Sequence, residues 1–398
     1  MVKDIIKAIQ KCSFEHPARL MPFDNLINGL DKEVNKGNIR EITHSYHKEL
    51  KMYLYSSHAV FNDEWNIFTL MARGLIIDTK NKEVLAAPFT KFFNYGEVVK
   101  DPRTFFEEPY IVTEKVDGSM GIMFFYENKW RIATKGSFES KQAKWAEEWI
   151  YQYMPLDKID ANNTYIFEIV YPENKIIVDY DFSGLVLLGI IDSFGLEYPY
   201  EQMVEEAKYL NVMITKKYTF VSIEDILKKA KVLSKLQEGF VIRFKNGIRL
   251  KVKGEEYLRI HKAISDITPV KIWQEMLDGK NLDNKRKDIP EEYIKDFDKI
   301  ISILENKLDT FIEEVRTIYE NTKDKTDKEL GMYMKFHPEA FAGCKFISAR
   351  NYVFSYRKGR FYQSIYDLTS STRRNIFKLF KPVNNKLEGY NIVEMIEV

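Results

Sequence analysis

The sequence predicts an α+β domain followed by a mostly helical one, with the change of character near residue 257. Three observations predict this. Before residue 257, short apolar runs with period-2 alternation flank turn residues, as strands and hairpins do. Segments with apolar residues at helical spacing interrupt those runs. After residue 257 the helical period dominates. The expected boundaries are 1–257 and 258–398, with no internal repeat, low-complexity tract or Pro/Gly-rich linker along the chain.

The elements follow in chain order. Residues 119–126 and 130–134 read as a hairpin around Glu127-Asn128-Lys129. Ala143, Ala146, Trp149, Ile150 and Tyr153 fall on one helical face, which stops before Pro155. Residues 185–191 are a continuous apolar run, as in a buried strand. Ser222 is placed to cap a helix whose Ile226, Leu227, Ala230 and Leu233 face inward. Residues 239–253 form the clearest hairpin, because Ile248, Leu250 and Val252 alternate with Arg249, Lys251 and Lys253. A three-residue loop, Lys245 to Gly247, aligns Phe240, Ile242 and Phe244 with the apolar face; a two-residue loop would not. Thr268-Pro269 starts a helix that Gly279 ends. From Pro290, apolar residues from Phe297 to Tyr319 recur on one face of a helix of roughly 30 residues, about 45 Å long. Residues 328–398 read as further short helices.

Composition bounds the function. Apolar residues at 45% and aromatics at 14% exclude a disordered chain. Sixty Lys+Arg against 59 Asp+Glu leave a net charge of +1, so any nucleic-acid contact must be a local patch. Two cysteines, Cys12 and Cys344, exclude a disulfide framework, and the six histidines show no metal-ligand spacing. No apolar run approaches the roughly 20 residues of a membrane span, and the charged N-terminus is not a signal peptide. A cytoplasmic protein with no membrane partner is expected.

The chemistry centres on Lys115-Val116-Asp117-Gly118. Lys-x-Asp-Gly alone is weak, since it arises by chance in about one chain of this length in ten. Its neighbours add weight. In order, they are Arg73-Gly74-Leu75, Lys91-Phe92-Phe93-Asn94, Thr134-Lys135-Gly136-Ser137, Phe167-Glu168-Ile169-Val170, Glu238-Gly239-Phe240-Val241 and Leu250-Lys251-Val252-Lys253. An attacking lysine must be neutral, and neighbouring cations and burial lower its pKa. Lys251 and Lys253, on one strand face, are expected to supply that field and to hold phosphates.

Together these motifs resemble the phage-type RNA ligase 1 family of covalent nucleotidyltransferases, over about residues 40–260. The resemblance implies a nucleotidyltransferase (adenylyltransferase) domain of antiparallel sheets with flanking helices. The helical C-terminal domain would then help select RNA or tRNA. It implies ATP and Mg²⁺, with Mn²⁺ as the alternative ion. Lys115 would attack the α-phosphate of ATP and expel pyrophosphate; AMP would pass to an RNA 5′-phosphate; a 3′-hydroxyl would then displace AMP. The substrate implied is RNA, in particular tRNA broken in its anticodon loop.

The resemblance also implies roles. Lys251 and Lys253 join Lys115 in the first step. Arg73 contacts the nucleotide, against the alternative of a surface strand-end arginine. Lys91 approaches phosphates and Phe93 packs on the adenine, with plain core packing as the rival for Phe93. Lys135 binds AMP or the RNA 5′-phosphate. Glu168 holds ribose or a hydrated metal ion, and Glu238 is the second metal-side carboxylate. Gly118 and Gly239 admit close backbone approach. Asp117 orients the loop or the ribose, and Glu114 helps read adenine. Lys285, Arg286, Lys287, Arg357, Lys358, Arg360, Arg373, Arg374 and Lys378 meet phosphates or form a solvated helical surface.

The sequence holds no G-x-x-x-x-G-K-S/T stretch, so 5′-hydroxyl ends are expected to need a separate kinase and phosphatase. Three competing readings stand beside RNA ligation: a DNA ligase or capping enzyme, a non-catalytic RNA-binding protein on the same fold, and a protein AMP-transferase.

Overall fold

The computed structural model describes residues 2–98, 109–280, 282–289, 291–341, 343–359, 370–383 and 385–388. The chain divides into two units, Met1–Leu258 and Arg259–Val398.

The first unit is built on three sheets. One has the order β1-β2-β3-β4, with Ile39–Thr43, Leu50–Tyr55, Arg73–Asp78 and Glu83–Ala86 all antiparallel. A second has the order β11-β10-β9-β7-β8, from Met213–Ile214, Gly184–Ile191, Thr164–Val170, Ser119–Tyr126 and Lys129–Thr134. The third has the order β12-β6-β13-β14-β5, from Lys217–Tyr218, Tyr110–Lys115, Gly239–Phe244, Arg249–Lys253 and Phe93–Asn94.

The apolar faces explain the layering. Leu50, Met52 and Ile76 of the first sheet pack on Ile122, Phe124 and Ala133 of the second. The other face of the second sheet, with Phe167, Ile169 and Leu187, is covered by helices Lys141–Tyr153 and Tyr200–Leu210. Helix Ile223–Lys231 covers Phe240, Ile242 and Leu250 of the third. β9 is therefore buried along its whole length. A carboxylate carried on it is largely withdrawn from water, Glu168 being 8% exposed, and this sets its behaviour below.

The hairpins follow their turn chemistry. β13 and β14 pair Phe240 with Val252 and Ile242 with Leu250, and Phe244 N donates to Ile248 O at 2.9 Å. The loop is thus the three residues Lys245 to Gly247, with Gly247 left-handed at φ 82°. The β7–β8 turn is one residue tighter than the sequence predicts. Tyr126 pairs with Lys129, leaving Glu127 and Asn128 as the two turn residues, at φ 49° and 58°. Positive φ at both central positions is the type I′ geometry that matches strand twist.

The second unit is helical. Helix Glu291–Glu320 buries Phe297, Ile300, Leu304, Leu308, Phe311 and Val315 in one stripe. At roughly 1.5–3 kcal/mol per side chain, that stripe and not helix propensity holds the element in place. Thr268 caps helix Pro269–Leu277, and Trp273 Nε1 donates to Phe377 O at 2.6 Å. Helices Asp327–Phe336, Val353–Arg357 and Ser370–Lys378 follow. Pro290, expected at the start of the long helix, lies outside the described residues. Among the described residues no helix is long and apolar enough to cross a membrane.

Candidate active site

Strand register brings the chemistry together. Lys115 ends β6, and it pairs with Gly239 of β13, which pairs with Lys253 of β14. Three adjacent strands thus present Lys115, a glycine and Lys253 in one row. Alternation puts Lys251 on the same face of β14 as Lys253. Gly239, at φ 150°, is needed there because a Cβ would stand 2.1 Å from Val252 O. Glu238, just before it, receives both ammonium groups: Lys115 Nζ at 2.6 Å and Lys253 Nζ at 3.0 Å.

Val116, Asp117 and Gly118 then carry the chain from the third sheet into β7 of the second. Asp117 anchors this crossing. Its Oδ2 accepts from the amides of Ile177 and Val178, both at 2.9 Å, and its Oδ1 accepts from Tyr257 Oη at 2.7 Å. Its own amide donates to Tyr180 Oη at 2.9 Å. Asp117 therefore orients the loop. Gly118 permits close approach: a Cβ would lie 2.5 Å from Ile169 O and 3.1 Å from Glu168 Cγ. Asp117→Ala would leave three buried donors without an acceptor. It is expected to cost about 3 kcal/mol or more, checked by urea unfolding.

Glu168 arrives from β9 of the second sheet. Burial, the first cause, pushes its pKa up to about 8. Lys115 and Arg73 oppose that shift, and Glu238 and Asp117 reinforce it. Among the described residues no hydrogen bond reaches its carboxyl. Glu238 behaves in the opposite way. Burial raises its pKa, but Lys115 and Lys253 outweigh burial and hold it below the ordinary range.

The field at Lys115 is the reverse of the expected one. Burial lowers its pKa, but Glu238 first, then Glu168 and Asp117, turn the net shift upward. Lys115 is thus held as an ammonium. The depressed lysine is Lys251, lowered well below its ordinary value by burial and then by Arg73, Lys91, Lys115 and Lys253. Among the described residues no carboxylate pairs with it.

Arg73 begins β3, stacks 5.0 Å from the Phe92 ring centroid and donates to Phe89 O at 3.4 Å. Lys91 lies 4.6 Å from the Phe93 centroid and 3.7 Å from Glu97. Lys135 lies 5.8 Å from the Tyr55 centroid, as does Lys91. Six cations thus gather round three acids, one of which is neutral at pH 7.

Three residues depart from their expected places. Phe93 is a core residue, 3% exposed and edge-on to Trp65 at 5.4 Å. The partly exposed ring set between cations is its neighbour Phe92, flanked by Arg73 and by Lys251 at 4.8 Å. The Glu114 side chain is not brought into the cluster. It pairs with Phe240 on the other face of β6, and its Oε1 accepts from Lys216 N at 2.8 Å. Glu238, expected beside a metal, has both oxygens taken by ammonium groups. That leaves Glu168 as the open oxygen donor.

Sequence reasoning missed Phe92, Tyr55, Tyr180 and Tyr257. Phe92 carried a signal, because it stands in the same Lys-Phe-Phe-Asn stretch as Phe93. Tyr55 and Tyr180 come from sequence positions with no motif, and Tyr257 closes the stretch Lys253-Gly254-Glu255-Glu256-Tyr257 that carries the resemblance. His47, Glu49 and Glu127, in the β1–β2 and β7–β8 turns, form a three-ligand group among the described residues. Linear spacing hid it, since Glu127 comes from a different hairpin.

In the second unit several basic residues are already paired. Lys285 meets Glu275 and Arg286 meets Asp298, each at 2.8 Å, and Arg357 meets Asp327 at 3.0 Å. Lys287, Lys358, Arg374 and Lys378 are exposed. Arg360 and the Arg373 side chain lie outside the described residues.

Residues 71–258 match the profile of a family described as RNA ligase. They include every site residue from Arg73 to Lys253. This segment is similar to that family. The matched segment leaves out Tyr55 and Trp65, which the structure places beside Lys91. Among relatives, the chain is 26% identical over 280 residues to a protein of Autographa californica nuclear polyhedrosis virus. That protein carries the name bifunctional polynucleotide kinase/RNA ligase; the match covers 62% of this chain and 40% of the relative. An RNA ligase of Rhodothermus phage RM378 is 23% identical over 353 residues, 71% of this chain and 79% of its own. Among solved structures, an archaeal ATP-dependent RNA ligase is 14% identical with a TM-score of 0.46, covering 63% of this chain and 68% of that one.

Proposed function

We propose that the protein is an ATP-dependent RNA ligase that joins 5′-phosphate and 3′-hydroxyl RNA ends through a lysyl-AMP intermediate. One observation carries this reading above the others: Lys115 and Lys253 converge on Glu238 across Gly239, beside Arg73, Lys91 and Lys251. A binding module has no need to bury a nucleophilic lysine together with Lys251, which no carboxylate pairs among the described residues. An incoming triphosphate would supply the anions that these cations lack.

The Lys115 ammonium gives a proton to solvent water, and the freed amine forms a bond from Nζ to the α-phosphorus of ATP. The bond to the bridging oxygen breaks and pyrophosphate leaves. Lys251 and Lys253 would hold the negative oxygens, and their attraction to phosphate would weaken the hold of Glu238 on Lys253. The adenine would lie against Phe92. Glu168 fits a divalent cation, because its carboxyl has no hydrogen-bond partner among the described residues and becomes a hard oxygen donor when a cation displaces its proton. A bound Mg²⁺ or Mn²⁺ would neutralise phosphate charge there. AMP would next pass to an RNA 5′-phosphate, and a 3′-hydroxyl would displace it.

Broken tRNA is the substrate we favour, with a 5′-kinase and 3′-phosphatase preparing the ends. The kinase/ligase name of the viral relative supports that pairing.

The test is intact mass after incubation with ATP and Mg²⁺, then with pyrophosphate. A gain of one AMP on Lys115, reversed by pyrophosphate, is expected. A folded, nucleotide-free protein that gains nothing would favour a binding protein on this fold. DNA ends sealed in preference to RNA ends would favour a DNA ligase. Lys251→Ala and Lys253→Ala are each expected to slow AMP transfer about 100-fold while changing RNA binding far less. Quenched-flow rates and filter-binding affinities check this; transfer at the wild-type rate would refute their role.

A further inference from the structure

Two turns from different sheets meet outside the cation cluster. The β1–β2 turn carries His47 and Glu49, and the β7–β8 turn carries Glu127. The two sheets pack on each other just inside these turns, through Leu50, Met52, Phe124 and Tyr126. His47 Nδ1 lies 3.7 Å from Glu49 Oε1 and 3.8 Å from Glu127 Oε2. One donor atom from each of the three residues lies within 4.8 Å of the other two.

Separations of 3.7 and 3.8 Å are too long for hydrogen bonds. They are close to the edge of a metal tetrahedron, since bonds of about 2.0–2.2 Å set neighbouring donors about 3.3–3.6 Å apart. We propose that His47, Glu49 and Glu127 bind one Zn²⁺ ion, with water as the fourth ligand. An imidazole beside carboxylates suits zinc, whereas Mg²⁺ takes oxygen ligands in a strict octahedron. The proposal stands apart from the RNA ligase reading and does not rest on it.

The surrounding groups hold the ligands in place. Tyr126 Oη donates to Glu49 Oε1 at 2.6 Å, the kind of outer support that ligating carboxylates receive. The Glu49 carbonyl accepts from Thr79 N and Thr79 Oγ1, both at 2.9 Å, which ties the β1–β2 turn to the end of β3. The His47 amide donates to His44 Nδ1 at 3.2 Å, and the His47 ring stands edge-on to Tyr126 at 5.3 Å. Glu127 is fixed by the tight two-residue turn. Two carboxylates facing one imidazole repel each other, and a dication replaces that repulsion with attraction. The bound ion would staple the turn ends of the two sheets together.

The test uses the full chain, stripped of metal with a chelator and dialysed against micromolar Zn²⁺ with millimolar Mg²⁺ present. Elemental analysis counts the zinc, and hydrogen exchange locates it. Wild type is expected to hold one zinc per chain more than His47→Ala or Glu127→Gln. At zinc ten times its Kd, amides in residues 44–50 and 127–129 should exchange about tenfold more slowly, in wild type only. Tyr126→Phe, which removes the outer hydroxyl, should bind zinc about tenfold more weakly. Glu127 is an exposed turn residue, so Glu127→Gln tests the site even where His47→Ala disturbs packing. Equal zinc in wild type and Glu127→Gln would overturn the proposal. So would zinc held with no added protection in either turn, which marks an adventitious ion only.

Discussion

Lys115→Ala is expected to reduce covalent AMP transfer to below detection while leaving the protein folded. The phosphoramidate needs an amine at the end of β6, and the other lysines of the cluster enter from different strands. Lys253 is four-square against Glu238, and Lys251 is turned to Phe92. Neither stands where the 116–118 crossing delivers Lys115. The fold should survive because Glu238 keeps Lys253 as a partner, so no buried carboxylate is left uncompensated. Intact mass and peptide mapping check the outcome. An AMP adduct of wild-type yield on another lysine would refute the assignment. The variant should still seal pre-adenylylated RNA, because that step does not use the amine.

Glu168→Gln is expected to stabilise the protein and to disable it. Burial raises the folded pKa of Glu168 to about 8, from an ordinary 4.5. Below pH 4.5 both folded and unfolded states carry the proton, and no penalty exists. Between pH 4.5 and about 8 the unfolded state ionises while the folded state keeps its proton. Stability therefore falls as pH rises through that window, and levels off above it. At pH 7 the accumulated penalty is about 3 kcal/mol, at 1.36 kcal/mol per pH unit. Glutamine removes the penalty and keeps the shape. Urea unfolding at pH 5 and pH 8 should show the variant gaining most at pH 8. Equal gains at both values would refute burial as the cause. AMP transfer should be lost, because the amide cannot carry the negative charge that a divalent cation requires. Such a residue, costly to stability and unpaired in the fold, is where function is expected to override packing.

Much of the fold was legible in the residues. The β13–β14 register followed from matching apolar faces, since a one-residue slip would have turned Leu250 and Val252 away from the core. The stripe from Phe297 to Val315 and the caps at Ser222 and Thr268 were legible for the same reason: each is a local pattern with a local cause. The first sheet was not. Its strands, from Ile39 to Ala86, are separated by short helices and loops, and only long-range pairing distinguishes them. In the site, the residue types and their order were legible, but their electrostatics were not.

The sequence by itself determined which chemical groups are available: one candidate nucleophile lysine, three motif carboxylates, a set of basic residues, and strands whose alternation aligns Lys251 with Lys253. Tertiary structure alone decided what those groups face. Register across Gly239 set Lys115 against Glu238, and so made it an ammonium where the neighbouring lysines had predicted the opposite. Sheet packing buried Glu168 and held its proton. Tyr257 reached Asp117 over a separation of 140 residues. The reason is physical. Alternation and capping are set by neighbours along the chain, whereas charge state depends on every group within a few ångströms and on the water excluded around them.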